Sequence, residues 1–238
     1  MKNEFDAFLD DLKATHGKNL SSVILYGSAA AGDFVAKRSD YNVLIALGTI
    51  GPADLRNAHA SIREWVRMGH PVPVYFTVSE LQNAADVFPI EFHQMSVARK
   101  VLYGPDLLAD INITGQNMRL QTEYELRSKL IRLRRHYIRA SVSIDGLKNL
   151  MSESLVSFAA LFRSVLVLLD TEPPATKREV VALTVDRLEL DGTPFEKVFN
   201  IRENNFTATL DEKGANQLFG EYMEQIEKVI DAVDAIDK

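Results

Sequence analysis

Apolar residues recur at helical spacing near the start of the chain. Phe5, Phe8, Leu9 and Leu12 fall at i, i+3, i+4 and i+7, the stripe of an amphipathic helix that Gly17 closes. The period then changes. Residues 22–26 and 41–47 are short β-rich runs, the first stopped by Gly27, and they predict two strands. Pro52 opens a helix expected to continue to about Met68. Residues 72–78, after Pro71, predict a third strand. Another strand is expected within residues 90–102, closed by Gly104 and Pro105. Ser79 and Gln82 have the spacing of a helical capping box.

The texture changes after about Ile113. Residues 116–150 read as one long helix or as two joined near Gly146. Residues 152–170 form a strongly apolar helix, interrupted by Arg163 and Ser164 and ended by Pro173 and Pro174. Thr176 with Glu179, and Thr193 with Glu196 around Pro194, mark two further helix starts. Phe219, Tyr222, Met223, Ile226, Ile230 and Val233 line one face of a final helix. The pattern predicts an α+β chain, with a βα-mixed domain over residues 1–110 and a helical bundle domain over residues 111–238.

Composition narrows this picture. The 238 residues are 46% hydrophobic and 25% charged, which excludes collagen-like, low-complexity and largely disordered chains. A net charge of −6 argues against a dedicated nucleic-acid binder, whose surface is normally basic. With no cysteine, disulfides, thiolate nucleophiles, Cys-ligated zinc and iron–sulfur clusters are excluded, and a reducing, cytoplasmic setting is the expectation. No uninterrupted apolar run reaches the roughly 18–20 residues of a membrane span, so no membrane partner is expected. The N-terminus is acidic and amphipathic rather than a signal peptide.

Candidate chemistry concentrates in residues 23–47. A strand ends in Gly27 and Ser28, and small residues follow as far as Gly32. Such a turn lets backbone N–H groups approach an anion closely. About a dozen residues later Asp40 and Asn42 stand two apart, and period-two geometry puts both side chains on one face. Two oxygen-bearing side chains near a phosphate-cradling turn suggest a site for a divalent metal and a nucleotide.

This segment resembles the nucleotidyltransferase superfamily, which includes the aminoglycoside nucleotidyltransferases and the small antitoxin-type nucleotidyltransferases. Gly27 and Ser28 match the superfamily's Gly-Ser, Ala31 and Gly32 match the small pair after it, and Ser39 and Asp40 match the entry to its acidic pair. The resemblance implies a mixed sheet with flanking helices. It also implies Gly27, Ser28 and Asp40 at the nucleotide, and Asp40 and Asn42 as ligands of Mg2+. The partners it implies are a nucleoside triphosphate and a hydroxyl acceptor that receives the nucleoside monophosphate. The helical half is similar in architecture to the C-terminal domains of kanamycin-type enzymes, in which this half presents carboxylates to the acceptor. Glu123, Glu125 and Glu153 are candidates for that role by location.

The sequence also departs from the family. Active members carry Asp at the position of Asn42, and many carry a third carboxylate on the next long strand. Here residues 71–79 hold no acid, and alternation makes Tyr75 or Thr77 the occupant of the third place. Glu80 and Glu91 are the acids nearest in sequence. A neutral amide brings no charge to a metal facing a triphosphate, so the alternative is a catalytically weakened or inactive homologue that binds a nucleotide or a protein.

A basic helix is the second feature. Residues 127–139 hold Arg127, Lys129, Arg132, Arg134, Arg135 and Arg139 with no acid, and Arg132, Arg135, His136 and Arg139 share one face. That face steers an anion, or it is a solvated surface paired with Glu123, Glu125 or the acidic tail 211–238. A third reading is a homodimer in which the stripe meets a neighbour's tail. Trp65, Phe158 and Phe162 read as core packing, and the histidines show no metal-ligand spacing.

Overall fold

The computed structural model describes residues 4–27, 29–30, 41–205 and 210–236. The chain divides into two compact units, Met1–Thr114 and Gly115–Lys238.

Four strands form one sheet among the described residues of the first unit, in the order β3-β2-β1-β4. They are β1 (Leu20–Tyr26), β2 (Asn42–Leu47), β3 (Val74–Thr77) and β4 (Arg99–Tyr103). Strand β1 pairs antiparallel with β2 and β4, whereas β2 and β3 run parallel, so the sheet is mixed. A parallel pair needs a crossover, which is supplied here by α2 (Pro52–Asn57) and α3 (His59–Arg67). The single helix expected from Pro52 is thus divided at the buried Ala58, although helical hydrogen bonds still run through it from Ala58 to Asp54 and from Ile62 to Ala58.

The two central strands are buried on both faces. On one, Val23, Leu25, Val43, Ile45 and Leu47 pack with Trp65 and with Phe8 and Leu12 of helix α1 (Glu4–His16). On the other, Ile24, Leu44 and Ala46 pack with Leu81, Phe92, Met95 and Leu108. This double cover explains why β2 is a near-continuous apolar run rather than an alternating one.

The strand expected within residues 90–102 is Arg99–Tyr103, and ahead of it Pro89 opens a helix that the pattern did not predict, α5 (Pro89–Val97). Ile90 and Phe92 mimic strand alternation, but Phe92 and Met95 at i and i+3 reach the same cluster as Ile24 and Leu44. The capping box of helix α4 (Val78–Asn83) also begins earlier than Ser79. Thr77 Oγ1 accepts from Glu80 N at 3.1 Å, and Glu80 Oε2 accepts from Thr77 N at 2.6 Å.

The second unit is helical: α6 (Gly115–Ala140), α7 (Ile144–Leu168), α8 (Lys177–Arg187), α9 (Thr193–Arg202) and α10 (Glu212–Asp234). The turn at 141–143 separates α6 from α7, and Ser143 Oγ caps α7 by accepting from Gly146 N at 3.1 Å. Gly146 therefore lies inside α7 and not at the junction. Helix α7 is long and apolar enough to cross a membrane. Its Leu155, Phe158, Phe162 and Val165 are nonetheless buried, and the helix packs against α6, α8, α9 and α10, which makes it a core helix. The Thr176–Glu179 capping box forms at α8. At α9 the expected cap shifts: Gly192 is the N-cap, and Asp191 Oδ1 accepts from Thr193 N at 2.9 Å.

One glycine is required for the β1–β4 pairing. Gly104 has φ +75°, and a Cβ there would collide with the Ser21 carbonyl oxygen. Beside it the buried Ser22 hydroxyl lies 3.0 Å from Tyr103 O and 2.7 Å from Pro105 O. Gly104→Ala is expected to lower unfolding free energy by about 1–3 kcal/mol, because it adds left-handed strain to a backbone clash. Urea unfolding checks this, and an unchanged midpoint would contradict it.

Candidate functional site

The site begins where β1 ends. Tyr26, the last residue of β1, pairs with Asn42, the first of β2. Gly27 follows with φ +81°, and its carbonyl accepts from Ala30 N at 2.8 Å to close a turn. A Cβ on Gly27 would stand 3.4 Å from Asn42 Nδ2, so the Asn42 amide lies against this turn. The Gly27 N–H donates to Ala98 O at 2.8 Å. Gly27 thus contributes a left-handed turn here, and its own N–H is committed to α5's C-cap. Ser28 and residues 31–40, with Ala31, Gly32, Ser39 and Asp40, lie outside the described residues.

Alternation places Asn42 on the sheet face of Leu44 and Ala46. Pairing adds Tyr26 from β1 and Arg99 from β4, so Asn42, Tyr26 and Arg99 form one row across the sheet. Burial raises the Tyr26 pKa. The Arg99 guanidinium is held by Asp106, with Nε 2.9 Å from Oδ2 and 3.1 Å from Oδ1, and it also donates to Ser96 O. The sequence reading missed this row, because Arg99 reaches it only through the β1–β4 register. The one local signal was the position of Tyr26 as the last residue before the glycine.

The third place is corrected. On the Asn42 face β3 presents Val74 and Phe76, which pack with Ile24 and Leu44. Tyr75 packs on the opposite face, where its hydroxyl is 3.4 Å from His16 Nε2 and burial pushes its pKa up to about 12. Thr77 caps α4. Glu80 is engaged in the same cap, and the Thr77 N–H and hydroxyl hold its carboxyl below the usual range. Glu91 sits in the first turn of α5 rather than on a strand.

The resemblance implied magnesium, and the described residues can be tested for it. Strands β1 to β3 carry Ile24, Tyr26, Leu44, Ala46, Val74 and Phe76 around Asn42, with no carboxylate. Among the described residues no group of three His, Cys, Asp or Glu side chains is placed to hold a metal ion. A neutral amide oxygen alone does not fit a magnesium site, which needs anionic oxygens beside the substrate phosphates. The acid of the pair, Asp40, is outside these residues.

An aromatic cluster fixes the start of β2. Tyr41 meets Phe5 edge-on with centroids 4.7 Å apart, and Phe8 stacks on Trp65 at 4.3 Å. Trp65 is fully buried, as expected of core, and its Nε1 donates to Pro71 O at 3.1 Å. His70 packs on both Tyr41 and Trp65. The residue before Asn42 is therefore anchored by packing.

In the second unit the basic helix is only partly neutralised. Arg127 pairs with Glu123 at 2.6 Å and Asp234 at 3.3 Å, and Arg134 pairs with Glu227 at 2.6 Å. Arg119 also reaches Glu123, at 2.9 Å. The Arg127 hydrogen bond is the main cause that lowers the Glu123 pKa. Pairing with Glu123 and the acidic tail thus holds for these arginines. Among the described residues it does not extend to Lys129, Arg132, Arg135 or Arg139.

No protein-family model matches the sequence, and no curated protein is significantly similar to it. Among solved structures the chain is similar to spectinomycin adenyltransferase AAD(9) from Enterococcus faecialis, solved with ATP and spectinomycin. The identity is 10%, the match covers 97% of this chain and 98% of that one, and the TM-score is 0.57. The chain has the fold of that adenyltransferase: a nucleotidyltransferase-type mixed sheet with helices, followed by a helical region.

A buried histidine, His16, and a half-buried one, His93, give the first unit a pH dependence. Desolvation lowers the pKa of His16, partly opposed by Asp54, and desolvation also lowers that of His93. The unfolded chain then binds more protons than the folded one between the folded values and about 6.5. Their contribution to stability is full above that value and is lost as pH falls through the folded values. Thermal midpoints are expected to drop between about pH 7 and pH 5. The His16→Gln, His93→Gln double variant is expected to flatten that drop, and an unchanged slope would contradict the assignment.

Proposed function

We propose that this chain is a nucleotidyltransferase-type protein that takes a nucleoside triphosphate at the corner of Gly27, Ser28, Asp40 and Asn42. It transfers the nucleoside monophosphate to a hydroxyl acceptor. The acceptor oxygen attacks the α-phosphorus in line, the bond to the pyrophosphate oxygen breaks, and pyrophosphate leaves. The acceptor's proton passes to a base. Catalysis of this kind rests on positioning and on neutralising charge. The observation that carries the reading is the Asn42 amide set against the left-handed turn at Gly27, in a chain whose fold matches a solved adenyltransferase over nearly its whole length. On this reading, magnesium dependence rests on Asp40, with Asn42 as a neutral neighbour.

A second reading has its own support. The sheet face around Asn42 offers Tyr26, Val74 and Phe76 where a transferase of this fold would place a further acid. That favours a homologue that binds the nucleotide and transfers it slowly or not at all.

Calorimetry with ATP or GTP, with and without magnesium, tests the site. Binding is expected to need magnesium and to be abolished by Asp40→Ala. Asn42→Asp is expected to tighten magnesium-dependent binding by roughly tenfold, the scale of one added charge-assisted contact. Binding indifferent to magnesium and to Asp40→Ala would remove the metal assignment. Pyrophosphate release separates the two readings: release with a hydroxyl acceptor supports transfer. Nucleotide binding without release, even in Asn42→Asp, supports the binding protein.

A further inference from the structure

The cations of α6 are sorted by face. At about 100° per residue, Arg132, Arg135, His136, Arg139 and Lys129 fall within an arc of roughly 120°. Arg127 and Arg134 lie on the opposite side of the helix and are the ones that meet carboxylates. The unpaired row runs about 15 Å along the helix. Four permanent cations share this arc; the acids nearest to it are Glu125, one turn before Lys129, and Glu153 of α7, and among the described residues neither forms an ion pair with them.

This row borders a concavity shared with α7. One hollow, of about 610 Å³, is lined by Arg135, His136, Arg139, Asn149 and Glu153. A second, of about 210 Å³, is lined by Lys129, Arg132, His136, Glu153 and Ser157. Both share His136, Leu150 and Glu153, so they adjoin. The chemistry divides between the walls: α6 supplies guanidinium and ammonium groups and the His136 imidazole, and α7 supplies an amide, two hydroxyls and one carboxylate. Planar guanidinium groups suit phosphoryl oxygens, which they bind through paired N–H donors. Asn149, Glu153 and Ser157 suit hydroxyl groups. A ligand bearing ammonium groups would meet like charge along the α6 wall.

We propose that the α6–α7 groove is a binding site for a small phosphorylated, hydroxyl-bearing molecule, its phosphoryl group held by Arg132, Arg135 and Arg139 and its hydroxyls by Asn149 and Glu153. The assignment stands on the second unit alone and does not depend on nucleotide transfer.

Calorimetry of the full chain with glucose 6-phosphate as probe tests it, with glucose and inorganic phosphate as controls. Glucose 6-phosphate is expected to bind, glucose not to bind, and inorganic phosphate to bind more weakly. The Arg132→Ser, Arg135→Ser double variant is expected to lose about a hundredfold in affinity, the scale of two charge-assisted contacts. Arg127→Ser with Arg134→Ser, on the paired face, is expected to change affinity less than about twofold. Circular dichroism and thermal melting confirm that each variant folds, and Arg132→Lys with Arg135→Lys restores part of the binding. An Asn42→Ala variant is expected to bind the probe as the parent does. Four results would overturn the proposal. They are no binding of glucose 6-phosphate by the parent, equal losses in the two serine variants, inorganic phosphate binding as tightly as the sugar phosphate, and loss of binding in Asn42→Ala. The last would place the anion in the first unit, whereas failure of nucleotide transfer would leave the groove assignment intact.

Discussion

Burying both faces of the β1–β2 pair is the constraint on which the first unit depends. One face of the pair closes over α1 and Trp65, and the other over the cluster of Leu81, Phe92 and Met95. Register follows from this double requirement. With Leu25 opposite Val43 and Ile24 opposite Leu44, Tyr26 must stand opposite Asn42. A slip of one residue would drive the Asn42 amide toward the Trp65 cluster and leave a polar group without a partner in an apolar core. The same register brings the amide against the turn at Gly27. The candidate site is thus a by-product of packing at the centre of the sheet, and the aromatic contacts of Tyr41 hold the start of β2 from the opposite face.

The second unit solves a different problem. Helix α7 is apolar around much of its circumference, so other helices must cover it, and α6, α8, α9 and α10 do so. Tyr222 of α10 is fully buried in this packing, with its hydroxyl 3.1 Å from Ser154 Oγ, and burial raises its pKa. Packing α6 against α7 turns one side of α6 inward, the side that carries Leu126, Leu130 and Leu133. Of its cations, those that meet Glu123, Glu227 and Asp234 are neutralised, and those beside Asn149 and Glu153 are not. Charge that looks uniform along the sequence becomes two surfaces of opposite character.

An amide rather than a carboxylate at Asn42 bears on chemistry more than on fold. A triphosphate brings several negative charges, and a carboxylate pair is what lets a divalent ion mediate them. Here the sheet offers an amide, a half-buried tyrosine and an arginine already clamped by Asp106. The fold of an adenyltransferase is therefore present, with an amide, a phenol and a guanidinium in the row that contains Asn42. Fold does not carry activity with it.

Much of the architecture was legible locally. Period 3.6 at Phe5 to Leu12 and the β-rich runs ending at Tyr26 and Leu47 each specify an element within a few residues, as does the Thr176–Glu179 cap. The residue types Gly27 and Asn42 at the ends of β1 and β2 were legible too, but that the Asn42 amide lies against Gly27 follows from the β1–β2 register. What escaped depended on partners distant in sequence. Residues 89–97 became helix because Phe92 and Met95 find Ile24 and Leu44 across the sheet. Tyr75 turned away from Asn42 because the parallel register with β2 set its face, and Arg99 joined the row only through β4. By itself the sequence determined most of the elements, their α+β order and the residue types at Gly27 and Asn42, since these follow from backbone propensity and local period. Only the tertiary structure decided which side chains share a face and which cations are left unpaired, since burial and charge pairing are settled between elements that no local pattern connects.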